Sequence, residues 1–525
     1  MSMHRLRRAG ALLVALALVA CGGGGGGSTT PPIAGSGAAA GPPPIPVIPE
    51  VASVNGVASL TLTAQFDPDA RPAFYYNGVE VAPTIRVSPG DTIKIHFVND
   101  LPAFCGPGIA TDSNLHFHGF TSSPNQPGDD VVDTLTAPGS TYDYTVQVNP
   151  DQPPGLYWYH AHPHGLSSWE VGNGMGGAIV IEGIANYVAS TAGLRERVII
   201  LRDIPNDSSL AAGESAHARR LLAARRSPQD DDEGGGNACA PETDATPMVN
   251  GLPQVSIGIR PGETELFRVV NMSGHRHFDL YLNGQPMTIV AQDGVPIGEY
   301  PGAPQTISAT DIVVPPAGRV EFLVTGSAGP TPLISRCFQS GPVGDTDPQV
   351  TLGQLVNDAT WTNPDNTTTQ TRVRKPFATL RRSQYYATAM PPPSAEHTVV
   401  FSEDANGFYL NGQAYSTTAA PMIVSQHGTT EEWTLENDTG EVHDFHIHQV
   451  HFVVESVNGL APTNPHWMDT IVLPPEGVGV QGQLVPSITK VLIDFRDPVI
   501  VGTFVFHCHI LDHEDGGMMA KIQVQ

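Results

Sequence analysis

Four short segments of the chain concentrate side chains that can hold metal ions. They read Leu115-His116-Phe117-His118-Gly119, Trp158-Tyr159-His160-Ala161-His162-Pro163-His164-Gly165, His443-Asp444-Phe445-His446-Ile447-His448-Gln449, and Phe506-His507-Cys508-His509-Ile510-Leu511-Asp512-His513. Each contains a His-x-His pair, and on a strand residues two apart face the same way. One such pair is a weak signal, because solvated histidines are common. Four pairs, two early and two late in the chain, are far more specific. Eight imidazoles could not pack as an ordinary core, where every ring nitrogen needs a partner. As ligands they suit copper, zinc, iron or nickel.

Cys508 narrows the choice of metal. It lies between His507 and His509 and so points to the opposite face of its strand. His513 follows five residues later and Met518 five after that. His443, Cys508, His513 and a weak axial Met518 form the two-histidine, one-thiolate, thioether pattern of a blue-copper electron-transfer site. A thiolate centre on one face and paired imidazoles on the other are then joined by a few covalent bonds. Zinc, which has no redox chemistry, would gain nothing from such wiring.

The elements that must position these groups show a threefold repeat. Asn77-Gly78, Asn250-Gly251 and Asn411-Gly412 each precede a strand-like run, a second Gly (Gly90, Gly262, Gly428) and an alternating run ending at Asn99, Asn271 or Asn437. Ile93, Ile95 and Phe97 fall on one face, as do Trp433 and Leu435, which predicts half-buried antiparallel strands facing a second sheet. Helical periodicity is nearly absent; the one candidate helix, 214–224, sits in a polar insertion at about 205–247. The expected fold is all-β, with three β-sandwich domains at 46–190, 191–350 and 395–525 and a linker at 351–394. Gly 55 and Pro 48 in 525 residues fit a turn-rich β protein.

The chain carries 52 acidic and 26 basic residues, a formal charge of -26, which argues against binding nucleic acid or an anionic membrane surface. Arg5, Arg7 and Arg8 precede an apolar run from Ala11 to Ala20, too short to span a bilayer and typical of an export signal. The following Cys21 gives residues 1–21 the look of a bacterial lipoprotein signal, with 22–45 as a flexible Gly/Pro-rich tether. Export predicts a cell-envelope or periplasmic location, or an extracellular one, and permits one disulfide. Cys105, Cys239 and Cys337 leave three pairings open, Cys239 with Cys337 being preferred.

The four histidine segments resemble the copper-binding signatures of the multicopper oxidases, and the laccase-like group in particular. The repeat matches that family's three cupredoxin Greek-key domains from about residue 60 onward. The resemblance implies four copper ions. His116 and His446 match the type 2 ligands; His118, His160, His162, His448, His507 and His509 match the type 3 ligands; His443, Cys508, His513 and Met518 match the type 1 set. It implies electrons passing from Cys508 to His507 or His509, O2 as acceptor, and a small aromatic or metal-ion donor. Asp129 or Asp130, and Glu514, resemble the family's proton-delivering acids, with Asp469 a further candidate. Asp444 and Gln449 depart from the family pattern, which often has Pro and Gly there.

His164, His451 and His466 fall outside the ligand pattern and read as supporting or surface residues, and Met519 as strand packing. His275 and His277, in the middle domain, lack partners in the sequence and read as plain strand residues. The expected activity couples four one-electron oxidations of phenolic donors to reduction of O2 to water. Two alternatives are a metallo-oxidase of Cu(I) or Fe(II), which the absence of a Met-rich run disfavours, and a non-enzymatic cupredoxin-like envelope protein. A copper nitrite reductase would not need so many paired histidines. A monomer is expected.

Overall fold

The computed structural model describes residues 41–106, 109–205, 245–357, 383–480 and 482–525. The signal segment 1–21, most of the tether, most of the insertion with its candidate helix, and most of the linker lie outside the described residues. The end of the expected tether, 42–45, is not free but bound to the middle sandwich, with Ile45 N donating to Ser256 O at 3.0 Å. Among the described residues no helix is long and apolar enough to cross a membrane.

Three pairs of sheets each enclose a separate apolar core. In the first pair, one sheet runs Glu50–Ala52, Thr84–Val87, Gly176–Ile181, Leu156–His160 and His116–His118. Its partner is built around Thr92–Asn99 between Ser140–Gln147 and Val57–Phe66. Ile93, Ile95 and Phe97 are buried between the sheets while Lys94 and His96 face water, as the alternation predicts. The third pair repeats the plan, with Thr430–Asn437 at the centre of one sheet and His443–Ile447 beside Gly502–Cys508 in the other.

The pairing differs from the expected antiparallel pattern. Val57–Phe66 runs parallel to Thr92–Asn99, Arg195–Pro205 parallel to Thr264–Asn271, and Ala395–Asp404 parallel to Thr430–Asn437. A strand with one buried face alternates identically whichever way its neighbour runs, so direction is invisible in the pattern.

The threefold repeat has a structural cause. Each Asn-Gly pair has both residues at positive φ, Asn77 at 51° and Gly78 at 76° in the first copy, the geometry of the tight hairpin turn that follows strand twist. Each terminal Asn is buried and ties down the next connection. Asn99 Nδ2 donates to the carbonyls of Thr111 and Thr136 and its Oδ1 accepts from Leu101 N. Asn271 does the same with Arg276, Val314 and Ser273, and Asn437 with Glu441, Pro474 and Thr439.

Two short helices, Ser167–Asn173 and Leu511–Asp515, join the first and third sandwiches. They are too short to show a helical period in sequence. The Asp515 carboxylate accepts the N–H groups of Gly165, Ser167 and Ser168, and Ser168 Oγ donates to Asp512 Oδ1 at 2.6 Å. A further apolar cluster uses all three sandwiches: Leu156 and Trp158 from the first, Val270 and Met272 from the second, Leu511 from the third. Cys337 is disulfide-bonded; the other half of that bond, and so the preferred Cys239 pairing, lies outside the described side chains.

Candidate metal centres

The strand His443–Ile447 begins with one donor, Gly502–Cys508 ends with another, and the helix Leu511–Asp515 brings His513 back over both. Cys508 Sγ lies 3.7 Å from His443 Nδ1 and 3.7 Å from His513 Nδ1, and the two Nδ1 atoms are 3.0 Å apart. Such S···N edges suit donors sharing one ion through bonds of about 2.0–2.3 Å. His443 Nε2 is engaged by Thr439 Oγ1 at 3.1 Å, which leaves Nδ1 to face the triad. Burial lowers the His443 pKa to about 3 and pushes the Cys508 thiol well above its ordinary range. The ring is therefore a neutral donor, and a thiolate in this pocket needs a cation beside it. Met518 is fully buried; its carbonyl accepts Cys508 N and its N–H donates to His513 O.

On the other face of the same strand the eight paired histidines converge from the first and third sandwiches. His116 is paired with His160 across one sheet and His446 with His507 across another. His162 Nε2 and His448 Nε2 lie 3.3 and 3.2 Å from His507 Nε2. The His116 ring stacks on His448 at 3.6 Å and the His118 ring on His446 at 3.8 Å. Three histidine groups bring donor atoms within 4.8 Å of one another: His116, His118, His160; His116, His446, His448; and His162, His448, His507. His509, also buried, lies 5.2 Å from the rings of His118 and His507.

The ring nitrogens test whether ions belong here. Nδ1 of His160 donates to Ala161 O, that of His446 to Asp469 O and that of His507 to Cys508 O, at 2.8, 2.8 and 2.9 Å. Each bond fixes the tautomer with its lone pair on Nε2. The facing atoms Nε2 of His116, His160 and His446, Nδ1 of His118, and both nitrogens of His509 are buried without a hydrogen-bond partner. One such orphan costs about 1–3 kcal/mol, so a cluster of them marks a site built for bound cations. Burial lowers the pKa of every ring, His160 to about 3 and His507 to about 4, and neighbouring imidazoles add to the effect at every ring but His507. Neutral, unpaired imidazoles fit copper.

The acids lie around this cluster. Glu514 Oε2 is 3.1 Å from His507 Nδ1 and its Oε1 accepts Ser167 Oγ at 2.8 Å. Asp129 Oδ1 is 3.0 Å from His116 Nδ1, and its Oδ2 accepts Gln449 Nε2 at 2.7 Å. Burial raises the pKa of both carboxyls well above normal, with Asp515 adding to the effect on Glu514. Asp130, by contrast, ties down the turn that follows it: Oδ1 accepts Val132 and Asp133 N–H and Oδ2 accepts Thr134 Oγ1 at 2.9 Å. Gln449 sits at φ 58°, a left-handed conformation a glycine would adopt without strain; its bond to Asp129 compensates.

Asp469 touches His118 Nε2 at 3.2 Å and is clamped by Arg319 of the middle sandwich, whose Nη1 donates at 2.7 Å. Burial pushes the Asp469 pKa up, but the guanidinium outweighs it and holds the carboxyl below its usual range. Gly119, at φ 82°, leaves room for this clamp; a Cβ there would lie 2.8 Å from Asp469 Oδ2. His451 Nε2 donates to Asp293 O, so its Nδ1 accepts Tyr386 Oη–H at 2.8 Å. His466 bridges Asn464 O and Gln292 Oε1, and His164 packs edge-on against Tyr415. Met519 pairs with His507 in the neighbouring strand.

His275 and His277 are not the strand residues expected: both lie in the connection that precedes the strand Phe278–Tyr281. Contrary to expectation they also have partners: His275 Nε2 lies 3.0 Å from Asp203 Oδ2, and the buried His277 Nε2 lies 3.1 Å from Asp444 Oδ1. The Arg319–Asp469 clamp and the Tyr386–His451 bond were also missed, since the partners are far apart in the chain and share no motif.

Family models described as multicopper oxidase match residues 61–186, 220–334 and 388–525. The chain belongs to the multicopper oxidases. Membership makes it an oxidoreductase and implies copper, with O2 as acceptor. The enzyme is 25% identical to the multicopper oxidase mco of Staphylococcus aureus over 90% of this chain and 89% of that one. It is 25% identical to a laccase of Haloferax volcanii over 92% of this chain and 84% of that one. The fold matches a solved multicopper oxidase of Campylobacter jejuni, described as a metallo-oxidase, with TM-score 0.67 and 20% identity over 92% of this chain and 96% of that one.

Proposed function

We propose that this enzyme is a four-copper, laccase-like oxidase that takes electrons singly from small phenolic or aromatic donors and reduces O2 to water. One observation carries the reading: Cys508 belongs to the buried two-histidine, one-thiol triad, while His507 and His509 on either side of it belong to the eight-histidine cluster. Copper at these donors supplies one-electron redox chemistry at the thiolate and reduction of O2 at the cluster. His443, Cys508 and His513, with Met518 in the same buried core, would hold the first ion. His116 and His446 would hold a second, and His118, His160, His162, His448, His507 and His509 would hold a pair.

The remaining chemistry belongs to the protein. Backbone hydrogen bonds along Gly502–Cys508 keep the thiol side and the imidazole side of one strand in fixed register. The sheets of the first and third sandwiches bury the cluster rings and exclude bulk water. Water formation consumes protons, and Glu514, its carboxyl kept protonated by burial and set against His507 Nδ1, holds one at the cluster wall. Asp129 does the same beside His116. Cys21 anchors the exported protein to a membrane, with residues 22–41 as the tether, and the molecule works as a monomer.

A second reading has its own support. Glu441 Oε1 lies 3.3 Å from His513 Nε2 at the edge of the thiol centre, and a carboxylate there suits a cationic donor such as Cu(I) or Fe(II). Oxygen uptake by copper-loaded protein with a phenol, Cu(I) or Fe(II), each as kcat/KM, separates the two. The laccase-like reading expects the phenol to be preferred; a preference for either metal ion overturns it. Protein that takes up copper yet consumes no oxygen with any donor would leave only a binding role.

A further inference from the structure

We propose that His277, on the middle sandwich, is a positioning residue for the Cys508 centre: by gripping Asp444 it fixes the N–H that bonds the Cys508 sulfur and so sets the reduction potential there. The inference rests on the reading of His443, Cys508 and His513 as a copper site.

Asp444 is bonded to both halves of the Cys508 strand end. Its N–H donates to Cys508 Sγ at 3.3 Å, and its carbonyl accepts His509 N at 2.7 Å. A proline at this position would have no N–H to give. The Asp444 side chain points into the middle sandwich, where Oδ1 meets His277 Nε2 at 3.1 Å. His277 is itself held on every side. Its Nδ1 is 3.5 Å from Asp347 Oδ2, its backbone N–H donates to the same carboxylate at 2.9 Å, and its ring stacks on Phe338 at 4.3 Å and 10°. Phe338 in turn packs against the core of the third sandwich. Burial would lower the His277 pKa, but the Asp444 and Asp347 carboxylates raise it to about 9, so the ring is a cation at neutral pH.

The potential of a thiolate copper site follows the hydrogen bonding and charge around its sulfur. An N–H donor and a nearby cation both favour the reduced state, in which the sulfur carries more negative charge. Loss of His277 releases Asp444, weakens the N–H···S bond and removes the cation, so both effects lower the potential. The middle sandwich, which gives no ligand to either centre, would then control the electron-accepting site through one residue.

The test is an anaerobic redox titration of copper-loaded protein, followed on the thiolate-to-copper absorption. His277→Phe keeps the stack on Phe338 and loses both ring nitrogens; it is expected to lower the potential and shift the absorption maximum at unchanged copper content. His277→Gln, whose amide still donates to Asp444, is expected to restore both partway. If circular dichroism shows His277→Phe misfolded or short of copper, His277→Asn, too short to reach Asp444, takes its place with the same expected fall. A potential and absorption maximum equal to wild type in whichever of these two variants is read overturn the positioning role alone. Wild-type protein without the absorption would instead overturn the copper assignment beneath it.

Discussion

Glu514 and His507 are both fully buried, yet the carboxyl Oε2 of one lies 3.1 Å from ring Nδ1 of the other. Burial and Asp515 keep that carboxyl protonated far above the usual range, so it can give a proton at neutral pH where an ordinary glutamate could not. Glu514→Gln keeps the shape and the bond from Ser167 but has no proton to transfer. It is expected to slow O2 consumption by about 100-fold or more, the usual scale for losing a general acid. Copper per chain and the rate of anaerobic reduction by donor should stay within twofold of wild type, and an oxygen electrode beside stopped-flow absorption reads the difference.

The Arg319–Asp469 clamp predicts a stability effect. Arg319→Met would leave the Asp469 charge buried without its guanidinium. Breaking a buried pair from one side costs about 3–5 kcal/mol, which denaturant unfolding of the metal-free protein would measure. Arg319→Met with Asp469→Asn should lose less than Arg319→Met alone, because the Asp469 charge is gone and only Asp293, 3.7 Å from Arg319 Nη1, is left without the guanidinium.

His277 gives the metal-free protein a pH-dependent term. Its folded pKa of about 9 lies above the ordinary 6.5, so its contribution is full below pH 6.5 and is lost as pH rises through 9. The loss is on the order of 3 kcal/mol at most. Unfolding free energies of wild type should fall across that window, and those of His277→Gln should fall by much less.

Asn437 ties the end of its strand to three later backbone groups. Asn437→Ala removes those bonds and strands buried carbonyls, for an expected loss of about 2–4 kcal/mol. Thermal unfolding of the metal-free variant checks it.

The ligand segments were legible because their chemistry is local. His-x-His on a strand puts two donors on one face, and inserting Cys508 between His507 and His509 turns a third donor to the other. The Asn-Gly turns and the strand-ending Asn99, Asn271 and Asn437 were legible as a repeat, although their carbonyl-binding role was not. What the sequence hid depends on contacts between sandwiches. His277 and Asp444 are 167 residues apart, and Arg319 and Asp469 150; neither pair belongs to a periodic pattern. Parallel pairing was hidden because alternation records burial and not strand direction. The helices Ser167–Asn173 and Leu511–Asp515 were hidden because packing and the Asp515 carboxylate hold them, not their own periodicity.

Whether electrons reach the cluster through Cys508 is decided by Cys508→Ser in copper-loaded protein, with copper content, blue absorption and donor oxidation measured on one sample. A serine hydroxyl fits the thiol's space but does not replace its soft thiolate. Loss of the blue absorption and of donor oxidation is expected, with the eight-histidine cluster still binding copper and the circular dichroism unchanged. Donor oxidation at the wild-type rate in that variant would contradict that route, because electrons would then reach the cluster without passing Cys508.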